Sequence, residues 1–92
     1  STKDASDEAL VIAESGIQDA LMKIARATES SSYSLPVSSG TATITISNVS
    51  TTYTINSTGT LNSKSRKIQA TVTVDENRKI TYGSNWWTEV AP

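Results

Sequence analysis

The sequence predicts an α+β fold: an N-terminal amphipathic helix packed on a four-stranded antiparallel meander sheet. Two observations lead to this fold class. Apolar residues recur every three or four positions in the first part of the chain, which is the period of a helix. From Gly40 onward they recur at every second position, which is the period of a strand with one buried face. Because each element has one apolar face, the economical arrangement lays the helix across the sheet.

The helix is predicted over about Asp4 to Thr28. Asp7 and Glu8 suit the positive N-terminal end of a helix, and Lys23 suits its negative C-terminal end. Asp19 lies four residues before Lys23, the spacing of a favourable ion pair on a helix surface. The apolar residues share one side: Ala9, Ile12, Ala13, Ile17, Ala20, Leu21, Ile24 and Ala27.

A ridge of small residues runs along one flank of this helix, and it consists of Ala9, Ala13, Gly16 and Ala20. A glycine inside a helix costs about 1 kcal/mol relative to alanine, which points to a packing reason for Gly16. Such a ridge lets another backbone approach closely. Two partners remain open for it: strands of the same domain, or a helix of another molecule.

Residues 29–40 are predicted to form a polar loop, because Ser is frequent there and Pro36 prevents a regular helix. The sheet is predicted over about residues 41–90, with short polar connections that are typical of an antiparallel meander. Its alternating segments are Thr41–Ser47, Thr51–Ser57, Lys67–Val74 and Arg78–Tyr82. The length fits a single domain that takes in residues 1–92.

The composition excludes several classes of function. The chain has 92 residues and a net charge of −1, and it contains neither Cys nor His. Disulfides, thiolate or imidazole metal sites and histidine acid–base chemistry are therefore excluded. The sequence has no nucleophile elbow and no phosphate-binding glycine loop. We expect no catalytic residue, no cofactor and no metal site.

Ser and Thr together account for 29 of the 92 residues, which is the most unusual feature of the composition. Threonine favours strands because its β carbon is branched, and its hydroxyl is well solvated. A sheet with threonines on its outer face would be a wetted surface with few charges.

Lys64, Arg66 and Lys67 form a short basic run, and Arg78 and Lys79 lie on the neighbouring predicted strand. Such a patch is able to contact the phosphates of DNA. No aromatic residues interleave with it to stack on bases, however. A solvated strand edge that discourages aggregation accounts for the same charges.

Trp86 and Trp87 are the largest aromatic side chains near the C-terminus. In one interpretation, one of them closes the core while the other covers a surface flank. In the other, an exposed tryptophan serves subunit packing or stacks on carbohydrate. The acidic segment Asp75–Asn77 offers too few oxygens for a hard cation, so a polar turn is expected there.

The segment Ala9–Ala25 resembles the type IV pilin family. Its core, Ala13-Glu-Ser-Gly-Ile17 followed by Asp19-Ala-Leu21, looks like the A-E-x-G-I/L-x-x-A-L stretch of minor pilins and pilus-assembly pseudopilins. In those proteins this stretch lies just past the membrane-spanning half of the N-terminal helix. Three later segments resemble the family in the same order: the strand and turn Tyr53–Gly59, the strand Arg66–Val74, and the closing pair Trp87 and Glu89.

The resemblance implies a structural subunit of a type IV pilus or related filament, which acts by assembly and surface exposure. Its implied partners are other pilin subunits, the assembly machinery, and the membrane through a hydrophobic N-terminal helix half. The implied location is a cell-surface filament, with membrane anchoring before assembly. The family's leader peptide and hydrophobic helix half are missing here, as they would be if the chain had been cut for solubility. The absence of cysteines favours a minor pilin, a pseudopilin or a subunit from another phylum over a disulfide-stapled major pilin.

Together, the resemblance and the sequence pattern indicate which residues take part in contacts. The residues expected to pack against other helices are Ala9, Ala13, Gly16, Ile17 and Ala20. The residues expected to contact a ligand or a neighbouring subunit are Lys64, Arg66, Lys67, Trp86 and Trp87. The main alternative is a secreted adhesin or carbohydrate-binding module that uses the polar sheet and one tryptophan. A DNA-binding minor pilin that uses the basic run is less favoured.

Overall fold

Helix α1 spans Ala5–Ala25 in the structure, a computed structural model that describes residues 5–92. The predicted start at Asp4 lies outside the described residues. The helix ends before Thr28 because Ala27 has a left-handed φ of 56°. The amides of Ala27 and Thr28 donate to the carbonyls of Ile24 and Lys23 at 3.0 and 2.8 Å. This is the Schellman pattern, which satisfies the last carbonyls of a helix.

Six strands of the described chain form one antiparallel sheet. They are β1 (Ser32–Val37), β2 (Gly40–Val49), β3 (Thr52–Leu61), β4 (Lys64–Val74), β5 (Ile80–Thr81) and β6 (Trp87–Val90). Strands β1 to β4 are neighbours in chain order, and β5 and β6 both pair with β4. β6 pairs with Lys67–Ala70, and β5 pairs with Thr73 and Val74. The two short strands therefore share one edge of the sheet.

The predicted four-stranded meander is wrong, and the first reason is β1. This strand lies within residues 29–40, where a polar loop was expected, and it pairs with β2 along its whole length. Tyr33, Leu35 and Val37 are half-buried and alternate with exposed residues. Pro36 is tolerated because β1 is an edge strand, where a missing backbone N–H does not interrupt the sheet.

The second reason is the opposite edge of the sheet. The predicted strand Arg78–Tyr82 is reduced to Ile80–Thr81, because Arg78 has a left-handed φ of 64° and belongs to the preceding turn. The rest of this edge is supplied by β6, which follows the irregular segment 82–86. The amide of Thr71 donates to the carbonyl of Trp86 at 2.7 Å and joins that segment to β4.

The core lies between α1 and the inner face of β2, β3 and β4. Its largest fully buried apolar side chains are Ile24, Ile44, Ile55, Ile68 and Val72. The outer face of the same strands carries exposed threonines, among them Thr43, Thr45, Thr71 and Thr73. The alternation of the strands thus places the abundant threonines on a solvated surface.

Helix α1 comes very close to β3 where both elements carry small residues. Ser57 on β3 is completely buried, and its Oγ lies so close to Gly16 that it would overlap a β carbon at that position. The hydroxyl makes no hydrogen bond to any residue that the structure describes. A buried hydroxyl without a partner costs about 1–3 kcal/mol, so this close crossing contains a local defect.

We expect Ser57→Ala to raise the free energy of unfolding by about 1 kcal/mol, because it removes an unsatisfied polar atom without opening a large cavity. Urea unfolding monitored by circular dichroism measures the change. Ser47→Ala on an exposed position of β2 is the matched control, with a change within about 0.5 kcal/mol. A less stable Ser57→Ala variant would show that the hydroxyl has a favourable partner.

Candidate functional site

The small-residue ridge of α1 faces the sheet of the same domain. A β carbon at Gly16 would lie 3.0 Å from Cβ of Ala42 and 3.1 Å from Cγ1 of Ile44, both on β2. The expected assembly residues are all buried: Ala9, Ala13, Gly16, Ile17 and Ala20. We therefore correct their expected role, because they bring strands of the same domain close to the helix and are not open to another molecule. The exposed side of α1 instead carries Val11 and Met22, which are 52% and 49% exposed.

The basic run does not form one patch. Lys64 is exposed at the start of β4, next to the hairpin turn. Arg66 pairs with Gly59 across the strands and lies on the helix side of the sheet, whereas Lys67 pairs with Thr58 and lies on the outer side. Adjacent positions of a strand point to opposite faces, so consecutive basic residues are separated.

Arg66 ties β6 and the start of α1 to β4. Its Nη2 donates to Oε1 of Glu89 at 2.8 Å, and its Nε donates to the other carboxylate oxygen. Its Nη1 donates to Oγ of Ser6 at 3.0 Å. The hydrogen bonds from Arg66 hold the pKa of Glu89 below its usual range. The sequence gives no sign of this pair, because 23 residues separate its members.

We expect β6 to loosen in acid, because Glu89 must stay ionised to hold Arg66. Its pKa is lowered in the folded state, so the stabilisation is complete above the unfolded pKa of about 4.5 and is lost as the pH falls through the folded pKa. NMR measures the amide-exchange protection of β6 in a series of samples from pH 6 to pH 3, which is about 1.5 units below that pKa. A decrease in this protection reports the loosening. Glu89→Gln should loosen β6 at neutral pH and remove this pH dependence, while Glu76→Gln in an exposed turn should leave both unchanged. An unchanged acid response in Glu89→Gln would contradict the prediction.

Arg78 caps the C-terminal end of α1. Its Nε donates to the carbonyl of Ile24 at 3.0 Å, and its Nη2 donates to the carboxylate of Glu29 at 3.1 Å. Its Nη1 donates to the hydroxyl of Tyr53 at 3.4 Å. The helix residues that the two arginines contact, Ser6 and Ile24, are 18 positions apart, which corresponds to roughly 27 Å along the helix axis. Arg66 and Arg78 therefore bind opposite ends of α1. The combined patch that would favour DNA does not form.

We expect Arg78→Lys to lower the thermal midpoint by roughly 5 °C or more, although the charge is retained. A lysine cannot donate at once to a helix carbonyl, a carboxylate and a phenol, so the last carbonyls of α1 lose a partner. Differential scanning calorimetry measures the midpoint. Lys79→Arg at the adjacent exposed position is the control, and an equal effect of both variants would rule out a capping role for Arg78.

The predicted pair of Asp19 and Lys23 is confirmed, with Nζ of Lys23 3.2 Å from Oδ2 of Asp19. The structure adds Tyr33 of β1, whose hydroxyl donates to the same carboxylate oxygen at 2.8 Å. Burial and this hydrogen bond raise the pKa of Tyr33 above its usual range. The cluster fastens the edge strand β1 to the helix.

The two tryptophans differ in their surroundings. Trp86 is half-buried and packs on the core, and its ring centroid lies 4.8 Å from that of Tyr82 at a tilted angle of 59°. Trp87 is 43% exposed. On the helix side they line an open groove of about 340 Å³, with α1 as the opposite wall. A second groove of about 340 Å³ lies on the other side of Trp86, lined by Thr71, Thr73, Thr81, Ser84 and Asn85.

The acidic segment 75–77 forms a turn. Oδ1 of Asp75 accepts hydrogen bonds from the amides of Asn77 and Lys79 at 2.8 and 2.9 Å, so this carboxylate caps the backbone. Within residues 5–92, no group of three or more acidic side chains is arranged to hold a metal ion.

The described helix is not apolar enough over its length to cross a membrane.

The comparisons with known proteins identify neither a family nor a function. No protein-family model, no curated protein and no solved structure matches this chain significantly.

Proposed function

We propose that the chain is a structural subunit of a type IV pilus or a related cell-surface filament, and that it acts by assembly rather than catalysis. The resemblance of Ala9–Ala25 to the pilin helix, followed by the other matching segments in the family's order, motivates the proposal. In this proposal its partners are other pilin subunits and the assembly machinery. A hydrophobic helix half would anchor the subunit in the membrane before assembly.

One observation about α1 supports the proposal best. The helix is fastened to the sheet at both ends by Arg66 and Arg78, yet one long side of it is uncovered. Val11 and Met22 lie on this side, and eleven residues bring two positions back to nearly the same helical angle. Polar residues, among them Gln18, lie between these two on the same side, so α1 presents a mixed surface with two exposed apolar side chains. Such a surface is suited to contacts with helices of neighbouring subunits.

The outer face of the sheet also suits an extracellular polymer. Its threonines give strong strand propensity and solvation with few charges, which allows many copies to lie side by side without mutual repulsion. The basic run offers no support for DNA binding, because Arg66 is paired with Glu89 and Lys67 points away from it.

The gene itself gives the first test. We expect it to encode a hydrophobic segment of about 20–25 residues directly before Ser1, because that length of helix crosses a bilayer. A gene without such a segment would overturn the proposal.

The second test labels filaments through a cysteine, since the chain has none of its own. In cells that produce the full-length Thr45→Cys variant, maleimide-gold should decorate surface filaments in electron micrographs, because Thr45 is exposed on the outer sheet face. Cells with the unaltered chain give the background. Gold on the cell body alone would contradict a filament subunit.

The third test addresses the exposed side of α1. Met22→Glu should abolish filaments while the purified domain keeps its thermal midpoint, because the side chain is half exposed. Val49→Glu is the matched control, since Val49 is 81% exposed at the far end of β2. Equal filament numbers in both variants would show that this side of the helix is not an assembly surface.

A further inference from the structure

The groove beside Trp87 has the composition of a ligand site. Trp87 pairs with Ala70, whose side chain is buried towards the helix, so the indole lies on the helix side of the sheet. The opposite wall is formed by α1, where Val11, Glu14 and Gln18 face the indole. The volume of about 340 Å³ lies within the usual range of small-ligand sites.

Two polar side chains of the groove are available to a ligand. Glu14 and Gln18 are four residues apart on α1 and therefore project side by side. Neither makes a side-chain hydrogen bond to another residue in the described part of the chain. Ser15, which also lines the groove, is already engaged because its hydroxyl donates to the carbonyl of Val11 at 3.1 Å.

We propose that this groove binds a neutral saccharide, with a sugar ring stacked on Trp87 and its hydroxyls bonded to Glu14 and Gln18. One face of a pyranose ring carries C–H groups, which pack well on an indole. Its edge carries hydroxyls that donate to a carboxylate and exchange hydrogen bonds with an amide. The groove combines these features across one gap, which a purely apolar contact surface would not require.

The charge of the groove disfavours anionic ligands, and its size disfavours small cations. Among the described residues that line it, Glu14 is the one charged side chain and none is Lys or Arg, so an anionic ligand would be repelled. A small organic cation would be attracted by the carboxylate and by the indole. It would fill only a minor part of the volume, however, whereas the groove has room for a larger ring system.

The proposal does not depend on filament assembly, so the isolated chain tests it. We expect saturation-transfer NMR to detect binding of at least one of four neutral sugars: cellotetraose, tetra-N-acetylchitotetraose, maltotetraose and galactotetraose. Trp87→Ala should weaken this binding about tenfold or more, because stacking is lost. Glu14→Gln and Gln18→Ala should each weaken it about three- to tenfold. Met22→Ala, on the same helix but outside the groove, should leave it unchanged.

Any of the following results would overturn the saccharide proposal. No saturable binding of any of the four sugars would show that the groove is not a saccharide site. Binding that persists in Trp87→Ala, in a variant with an unchanged amide fingerprint, would place the sugar elsewhere. Saturable binding of tetramethylammonium without binding of sugars would mark the groove as a cation site. Filaments that form normally while no sugar binds would leave the filament proposal standing and remove this one.

Discussion

Replacing Gly59 by alanine is expected to lower the free energy of unfolding by about 3 kcal/mol or more, at the upper end of overpacking effects. A β carbon at Gly59 would lie 2.6 Å from the amide nitrogen of Ala13 and even closer to the carbonyl oxygen of Ala9. Both obstacles are backbone atoms of α1, so neither can rotate away. The helix would have to lift off β3, which would open contacts along the whole core.

Urea unfolding and calorimetry measure the effect of Gly59→Ala, with a thermal midpoint lower by more than about 10 °C. Gly83→Ala is the matched control, because a β carbon there would meet nothing within 4 Å and the backbone is not left-handed. That variant should be unchanged or slightly more stable, since alanine restricts the unfolded chain. Equal stability of the two variants would show that α1 does not approach β3 as closely as the structure has it.

The sequence predicts the elements whose pattern is long and local. Helix α1 and strands β2, β3 and β4 each carry a run of apolar residues at one period, and a single buried face produces such a run. Strand β1 was missed because its apolar side chains are only half-buried, and serines and Pro36 separate them. Strand β5 was predicted too long because Arg78 is committed to the end of the helix.

The contacts of the candidate site are harder to predict because they join distant parts of the chain. Arg78 and the carbonyl that it caps are 54 residues apart, and no local pattern distinguishes this arginine from the exposed Lys79 beside it. The small-residue ridge was visible in the sequence, but its partner was not. In the sequence, Gly59 and Ser57 do not differ from other strand residues, whereas in the structure both lie directly against α1. Chain topology, rather than composition, decides whether such a ridge is internal or external.

At Gly16, too, α1 lies very close to the sheet, but here the nearest atom belongs to a side chain and not to the backbone. A second substitution that removes this atom should therefore reverse the effect of Gly16→Ala. We expect Gly16→Ala to destabilise the domain by about 2 kcal/mol, although alanine gains about 1 kcal/mol of helix propensity. The β carbon would overlap Oγ of Ser57, a side-chain atom, and would lie 3.0 Å from Cβ of Ala42. The hydroxyl is therefore the main obstacle.

A double-mutant cycle with Ser57→Ala tests this assignment. Because Ser57→Ala removes the overlapping atom, Gly16→Ala should cost little in that background, which gives a coupling energy of about 2 kcal/mol. Gly16→Ala combined with Thr43→Ala, at an exposed position of β2, is the control and should be additive. Additive effects in both pairs would mean that the resistance comes from Ala42 and Ile44 instead. Strong coupling in the first pair alone would establish that Gly16 is required by the sheet of its own domain, and that contacts between subunits must be sought on the exposed side of α1.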